Sequence, residues 1–255
     1  MKDYIALIKF KYHASFLAIV VIAFFFAGIS VELVQRLILL YLSFNILLYT
    51  GLYIINDIAD FESDRKHPLK RNRPIPSGRI SIRIAVLLST LLITSGLLTG
   101  WLFFGMQTVG FYAAFIALSI IYSFFAKHIP YVEIFMNTAT HPLRAVMAFA
   151  LISYPVPTIL VTSYAFFILG LMTIRRVVEK DVPGWGARRV LHHYNKQVLL
   201  AIKIVSFLAI VAFAVLDTRS NWALYAAMLV IYAALVFGIY HTQFIRSPLR
   251  SMLTK

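Results

Sequence analysis

Residues 56–78 read NDIADFESDRKHPLKRNRPIPSG and hold four of the ten acidic residues of a 255-residue chain whose formal net charge is +14. A helix continuing through the start of this stretch places Asn56, Asp60 and Asp64 four apart, and Asp57, Asp60 and Asp64 at i, i+3 and i+7. All four then lie on one face. Like charges stacked in this way repel, and carboxylates beside a membrane are costly unless a cation sits among them. Mg²⁺ is the hard cation that carboxylates and phosphates share. The face reads as a seat for a metal-bound phosphate. Arg65, Lys66, Lys70, Arg71, Arg73 and Arg79 follow at once, and Pro68, Pro74, Pro76 and Gly78 end the helix and shape a loop. A solvated loop of mixed charge, its bases serving topology and lipid headgroups, explains the Lys and Arg but not the convergence of acids.

Outward from this stretch the chain is apolar: 61% hydrophobic, 13% charged, with a mean hydropathy of +0.83. A bilayer crossing needs ~20 apolar residues. Eight runs approach that length: Ala14–Ile29, Leu37–Ile55, Ile80–Phe103, Thr108–Phe125, Val132–Ile152, Thr158–Ile174, Val198–Leu216 and Trp222–Tyr240. The expectation is a single all-α membrane domain over residues 1–255, a bundle of two four-helix halves with polar loops capping a central cavity. The first run lacks an A-x-A-like cleavage site and reads as an uncleaved span. Connections after the odd-numbered spans hold Arg36 and Arg219 as their clear bases, whereas most of the 24 Lys and Arg lie after the even-numbered spans and at the two ends. The positive-inside rule puts those loops and both termini on the cytoplasmic side. The same rule, with anionic lipid, accounts for the basic charge without nucleic acid. The chain has no Cys, so thiolate metal sites are excluded.

A second long polar connection, RRVVEKDVPGWGARRVLHHYNKQ at 175–197, also follows an even-numbered span and also passes through Pro and Gly. Two facing halves would bring it to the same end of the bundle as residues 56–79. In the fifth span Glu133, Asn137, His141 and Arg144 form one polar stripe. Ionisable groups at such depth are functional candidates, although pairing that fixes helix packing is an equal reading for Glu133 and His141.

The run Asn56, Asp57, Asp60, Asp64 fits N-D-x-x-D-x-x-x-D, and Lys70, Arg71, Arg73, Pro74, Ile75, Pro76, Ser77 and Gly78 resemble the K-R-P-I-P-S-G run of the UbiA superfamily of intramembrane prenyltransferases. The resemblance implies that Asn56, Asp57, Asp60 and Asp64 hold Mg²⁺ and the diphosphate of an isoprenoid donor, with Lys70 and Arg73 on phosphate oxygens. It also implies further ligands at a second acidic motif, commonly D-x-x-x-D. Here that position reads Arg175, Arg176, Glu179 and Asp181. Two arginines with two acids resemble instead the K-R-x-x-E of another branch, which moves phosphoribose from phosphoribosyl diphosphate onto a polyprenyl phosphate. Lys127, Glu133, Arg144, Arg189, Leu191 and Tyr194 resemble that branch too, whereas the N-terminal LIKFKYHASF departs from its W-x-K-N run.

Both reactions break a carbon–oxygen bond to diphosphate, so acids hold the metal and bases neutralise the leaving group. Prenyl transfer from a polyprenyl diphosphate to a lipid-soluble or aromatic acceptor is the favoured expectation, and phosphoribosyl transfer to a polyprenyl phosphate is the alternative close behind it. Arg175 and Arg176 are candidates for the additional 5′-phosphate, Tyr53 for a cationic carbon, Arg144 for a place above the substrate head, and Asn137 for a substrate contact. Transport of an anionic metabolite is a distant alternative, because transporters gather their ligands at the midplane on broken helices.

Overall fold

The computed structural model describes residues 2–67, 70–180, 189–218 and 222–237, and among these every regular element is helical. The chain divides into two compact units. One comprises Met1–Phe125 with Leu143–Val156, the other Ala126–Pro142 with Pro157–Lys255.

The first unit opens with the short helix α1 (Lys2–Ile8), a 3-10 stretch (Phe10–Phe16) and α2 (Leu17–Ala27). Gly28, at φ 73°, turns the chain out of α2, and Ser30 caps α3 (Val31–Leu40) by accepting the Leu33 N–H. The helix then widens into a π-helical segment, Tyr41–Tyr49, before α4 (Thr50–Ala59) and the one-turn-and-a-half α5 (Phe61–Lys66). After the basic loop, Ser81 caps α6 (Ile82–Phe104), and α7 (Met106–Phe124) follows a Gly105 hinge. The core of this unit gathers Phe16, Ile19, Leu37, Phe44, Leu48, Tyr112 and Phe115, joined by Met147 and Ala148 from α8 (Val132–Leu151).

In the second unit α9 (Thr158–Lys180) packs along α10 (Lys196–Leu216), and α11 (Trp222–Tyr232) closes against both. The Tyr232 hydroxyl donates to the Lys203 carbonyl at 2.8 Å. Helix α8 serves both units, and the division falls at Pro142, where the missing N–H removes an i→i−4 bond.

Leu87, Leu91, Leu98, Trp101, Val205, Leu208 and Val215 are all more than half exposed, the pattern of helices solvated by lipid. Among the described residues six helical stretches are long and apolar enough to cross a bilayer: Lys2–Ala27, Val31–Ala59, Ile82–Phe104, Met106–His128, Thr158–Val177 and Lys196–Leu216. Two of the eight expected spans differ. Val132–Leu151 is a continuous 20-residue helix, but its polar stripe lowers its hydropathy, and Trp222–Val236 is short within the described residues.

Where lipid supplies the solvent, helices associate through close packing at small residues. A Cβ on Gly96 of α6 would stand 2.8 Å from the Leu48 backbone nitrogen, so backbone itself blocks any side chain there. Gly96→Val should therefore lower the thermal unfolding midpoint in detergent, at a cost of about 1–3 kcal/mol for an overpacked site. Gly110→Val, where nothing lies within 4 Å, should leave it nearly unchanged.

Candidate functional site

Helix α4 ends at Ala59, and Asp60 takes φ −92° and ψ 0° as its last half-helical residue. The expected helix is thus interrupted rather than continuous. Its phase survives, because Asp60 N–H still donates to Asn56 and Asp64 N–H to Asp60, at 2.9 and 2.8 Å. Asp57 and Asp64 consequently turn to one side and are buried to 2% exposure, while Asp60 stays partly exposed between them.

One guanidinium joins the two buried carboxylates. Arg73 Nη1 donates to Asp64 Oδ2 at 2.8 Å and lies 3.3 Å from Asp57 Oδ1. Lys70 Nζ stands 3.4 Å from Asp64, and Asn56 Nδ2 donates to Ser123 Oγ on α7 at 3.1 Å. The loop earns this placement through burial: Pro74, Ile75 and Pro76 sink into the protein, and Ile75 packs with Leu7, Ile54, Ile80 and Ala85. Gly78 at φ 80° then releases the chain toward α6.

A third cation comes from a place the sequence did not suggest. Lys9 Nζ donates to Asp57 Oδ1 at 2.6 Å and lies 5.2 Å from the centroid of the Tyr53 ring. Lys9 holds a left-handed backbone, φ 53° and ψ 49°, which costs a non-glycine residue roughly 1–2 kcal/mol. Leu7 in the apolar cluster and Asp3 on Arg79, at 2.9 Å, pin the preceding helix. Nothing within ten residues of Lys9 signals an acidic partner 48 positions away.

Aromatic rings extend inward from this cluster. Tyr53 meets Tyr12 at 5.1 Å and Tyr49 at 4.7 Å. Arg144, 1% exposed, lies over Tyr49, Phe115 and Phe44 at 4.8, 4.9 and 5.7 Å. Its charge is thus set against ring faces in the core of the first unit. The π-helical segment supplies two of those three rings.

In the second unit Glu133, fully buried, receives both Nε and Nη2 of Arg176 and the hydroxyl of Tyr194, the last at 2.7 Å. Breaking one side of such a buried pair typically costs about 3–5 kcal/mol. Burial, and next the bond to Glu133, push the Tyr194 phenol well above its usual range. Asn137 Nδ2 lies 3.5 Å from Met172 Sδ, and Arg175 is partly exposed. Asp181 and the side chain of Glu179, expected as second-motif ligands, lie outside the described residues.

The donor set suits a hard divalent ion in kind: Asp57 and Asp64 are oxygen ligands converging on the point held by Arg73. Among the described residues no three metal-binding side chains stand preassembled as a ligand group. Cations fill that role instead, and in the ion pairs three of them, Lys9, Lys70 and Arg73, face two carboxylates. Such a cluster can accept a polyanion together with its metal.

The chain has relatives of known sequence and structure. The sequence model of the UbiA prenyltransferase family matches residues 15–251. A decaprenyl-phosphate phosphoribosyltransferase of Mycobacterium tuberculosis is 26% identical over 71% of this chain and 60% of its own length, so the match spans well under the whole relative. A Corynebacterium glutamicum protein of the same name is 33% identical over 38% of this chain and 29% of its own. A UbiA homologue from Archaeoglobus fulgidus, solved bound to GPP and Mg²⁺, superposes with a TM-score of 0.78 at 17% identity, covering 98% of this chain and 95% of that one. A digeranylgeranylglyceryl phosphate synthase structure gives 0.69 at 17%, covering 99% and 94%. The structural likenesses establish the fold.

His67 sits buried at the end of α5, its Nδ1 accepting the Lys70 N–H at 3.3 Å. Burial first, and then the Lys70 charge, hold its imidazole below the ordinary 6.5. The unfolded chain therefore takes up this proton at higher pH than the folded one, and stability falls as pH drops below 6.5. His67→Gln should flatten that slope in unfolding midpoints measured from pH 7 to 5.

Proposed function

This chain belongs to the UbiA prenyltransferase family, and on that premise we propose that it is a Mg²⁺-dependent intramembrane transferase moving phosphoribose from phosphoribosyl diphosphate to a polyprenyl phosphate. The observation that carries this reading is the buried Asp57–Arg73–Asp64 bridge with Lys9 and Lys70 at its ends. Two carboxylates for a metal and three cations for phosphate oxygens are what departure of diphosphate requires.

Asp57, Asp60 and Asp64, with Asn56, would hold the ion, which supplies Lewis-acid neutralisation of the leaving group when bound. Arg73 and Lys70 exchange their carboxylate partners for phosphate oxygens, so charge stays compensated as the substrate enters. Tyr53, whose ring centroid lies 5.2 Å from Lys9 Nζ, would offer a ring face to a carbon gaining positive charge. Arg144 would serve the substrate head and Asn137 a substrate contact, Arg175 and Arg176 would serve the ribose 5′-phosphate, and Glu179 and Asp181 would be further metal ligands. The choice of phosphoribose rests on those two arginines and on sequence likeness to phosphoribosyltransferases.

A second reading has a specific basis: structures of this fold from Archaeoglobus fulgidus are bound to GPP or DMAPP with Mg²⁺. On that reading the donor is a prenyl diphosphate, and Asp57, Asp60, Asp64, Lys70 and Arg73 of this chain would act on the same diphosphate leaving group. In either case we place residues 1–255 in one membrane domain, with the 56–79 and 175–197 loops and both termini on the cytoplasmic side, where basic residues concentrate.

Equilibrium binding of labelled phosphoribosyl diphosphate and labelled geranylgeranyl diphosphate, with and without Mg²⁺, separates the readings. Phosphoribosyl diphosphate should bind only with Mg²⁺, and Asp57→Asn should weaken it at least tenfold while the protein still unfolds cooperatively in detergent. Binding of the prenyl diphosphate alone would establish the second reading, and Mg²⁺-independent binding would overturn both.

A further inference from the structure

Lys9 is held more firmly than the other two cations of the acid cluster. Its side chain is 11% exposed, against 22% for Lys70 and 27% for Arg73. On Asp57 Oδ1 its ion pair is the shorter, 2.6 Å beside 3.3 Å for Arg73, and the Tyr53 ring face also meets the ammonium.

The chain on both sides of Lys9 keeps it there. Before it, Leu7 is buried against Ile54 of α4, three residues ahead of Asp57, and against Ile75 of the basic loop. After it, the Tyr12 N–H donates to the Lys9 carbonyl at 2.9 Å, and His13 is buried between two partners. The Ile8 carbonyl can only accept, so His13 Nε2 donates to it at 3.0 Å, and Nδ1 of the neutral ring accepts the Tyr41 hydroxyl at 2.8 Å. A strained backbone persists only where its surroundings over-determine it. Here they fix the left-handed turn at Lys9, and the turn delivers one ammonium to one carboxylate.

Charge then decides what the cluster can admit. The two buried carboxylates face three cations, one positive charge in excess, and the partly exposed Asp60 brings the group to neutrality. A divalent cation added alone would be repelled by three nearby cations with no negative charge left over to hold it, and in a partly desolvated place that repulsion is poorly screened. A diphosphate added with the ion nearly cancels its charge. Without Lys9 the acids would outnumber the bases and could hold the ion by themselves. We propose that Lys9 regulates loading of this site: by neutralising Asp57 from the N-terminal arm, residues 2–16, it denies the acids to a free divalent cation and admits the ion only together with a diphosphate. The inference rests on the reading of Asp57, Asp60 and Asp64 as metal ligands. It holds for either donor, because only the diphosphate enters it.

Lys9→Gly tests this cleanly, since glycine removes the ammonium and suits the left-handed backbone, while Lys9→Arg keeps the charge. Full-length wild type, these two variants and Lys9→Gly/Asp57→Asn, purified in detergent, are measured for binding of Mg²⁺ alone and of Mg²⁺ with inorganic pyrophosphate at matched free Mg²⁺. Unfolding midpoints are read with and without Mg²⁺. Wild type should bind Mg²⁺ at least tenfold more tightly with pyrophosphate than without, and Mg²⁺ alone should not move its midpoint. Lys9→Gly should change the two ligands in opposite directions: Mg²⁺ alone binds at least tenfold more tightly than in wild type and raises the midpoint, whereas pyrophosphate binds more weakly. Lys9→Arg should restore the wild-type pattern, and the double variant should lose the gained Mg²⁺ binding.

Wild-type protein that binds Mg²⁺ equally well without pyrophosphate would overturn the inference and leave the acid site standing. Folded Lys9→Gly that binds Mg²⁺ alone no better than wild type would do the same, and loss of both ligands together would reduce Lys9 to a structural role. Absence of Mg²⁺–pyrophosphate binding in wild type, or a double variant that keeps the gained Mg²⁺ binding, would overturn the reading of Asp57 as a ligand and the inference with it.

Discussion

Compensation of buried carboxylates at the edge of a lipid-solvated bundle governs this structure. An ionised acid removed from water loses several kcal/mol of solvation unless a cation and hydrogen bonds replace it. Asp57 and Asp64 are both in that position, and the first unit is shaped around their neutralisation. The loop after α5 buries Pro74, Ile75 and Pro76, which brings Arg73 between the acids. The N-terminal helix packs Leu7 against the same apolar cluster, and its end adopts a left-handed turn that delivers Lys9. Apolar burial and charge pairing thus reinforce each other. A loop that lost its hydrophobic anchor would leave two acids uncompensated.

The same physics operates elsewhere with other partners. In the second unit one glutamate is answered by an arginine and a tyrosine, with no water-exposed edge. In the core of the first, Arg144 is set over three rings, where the quadrupole of each ring supplies part of what water would have given. Among these the pair Asp57 and Asp64 differs in kind, because its cations remain partly exposed, Arg73 at 27% and Lys70 at 22%. Partly exposed cations can change partners at modest cost, whereas Arg176 cannot. That contrast in exposure separates a cluster suited to exchange from one suited to hold.

Much of the fold was legible because the bilayer imposes a length and a composition on each span. The runs around Ile82–Phe104 and Lys196–Leu216 are apolar on all sides and were read to within a few residues. The fifth was recognisable from its polar stripe, which also removes it from a purely hydropathic selection. The N-terminal start was not, since α1 and the 3-10 stretch before α2 carry Lys2, Lys9 and Lys11, residues that look like a flanking tail. The kink at Asp60 was equally invisible, because no Pro or Gly marks it. Of the candidate residues, Asp57, Asp64, Lys70 and Arg73 were expected together from their motif and stand together. Lys9 was missed, and Glu133, for which a packing role was one of two equal readings, meets Arg176 of another helix.

By itself the sequence determined the class of protein, an all-helical membrane bundle with an acid-rich face followed by a basic loop. Those properties are local: span length, periodicity and spacing act within one helix and need no partner. Only the tertiary structure decided which charges meet. Lys9 lies 48 residues from Asp57, and Arg176 lies 43 from Glu133. Their pairing depends on which helix faces pack against one another, and no local spacing within one helix carries that information.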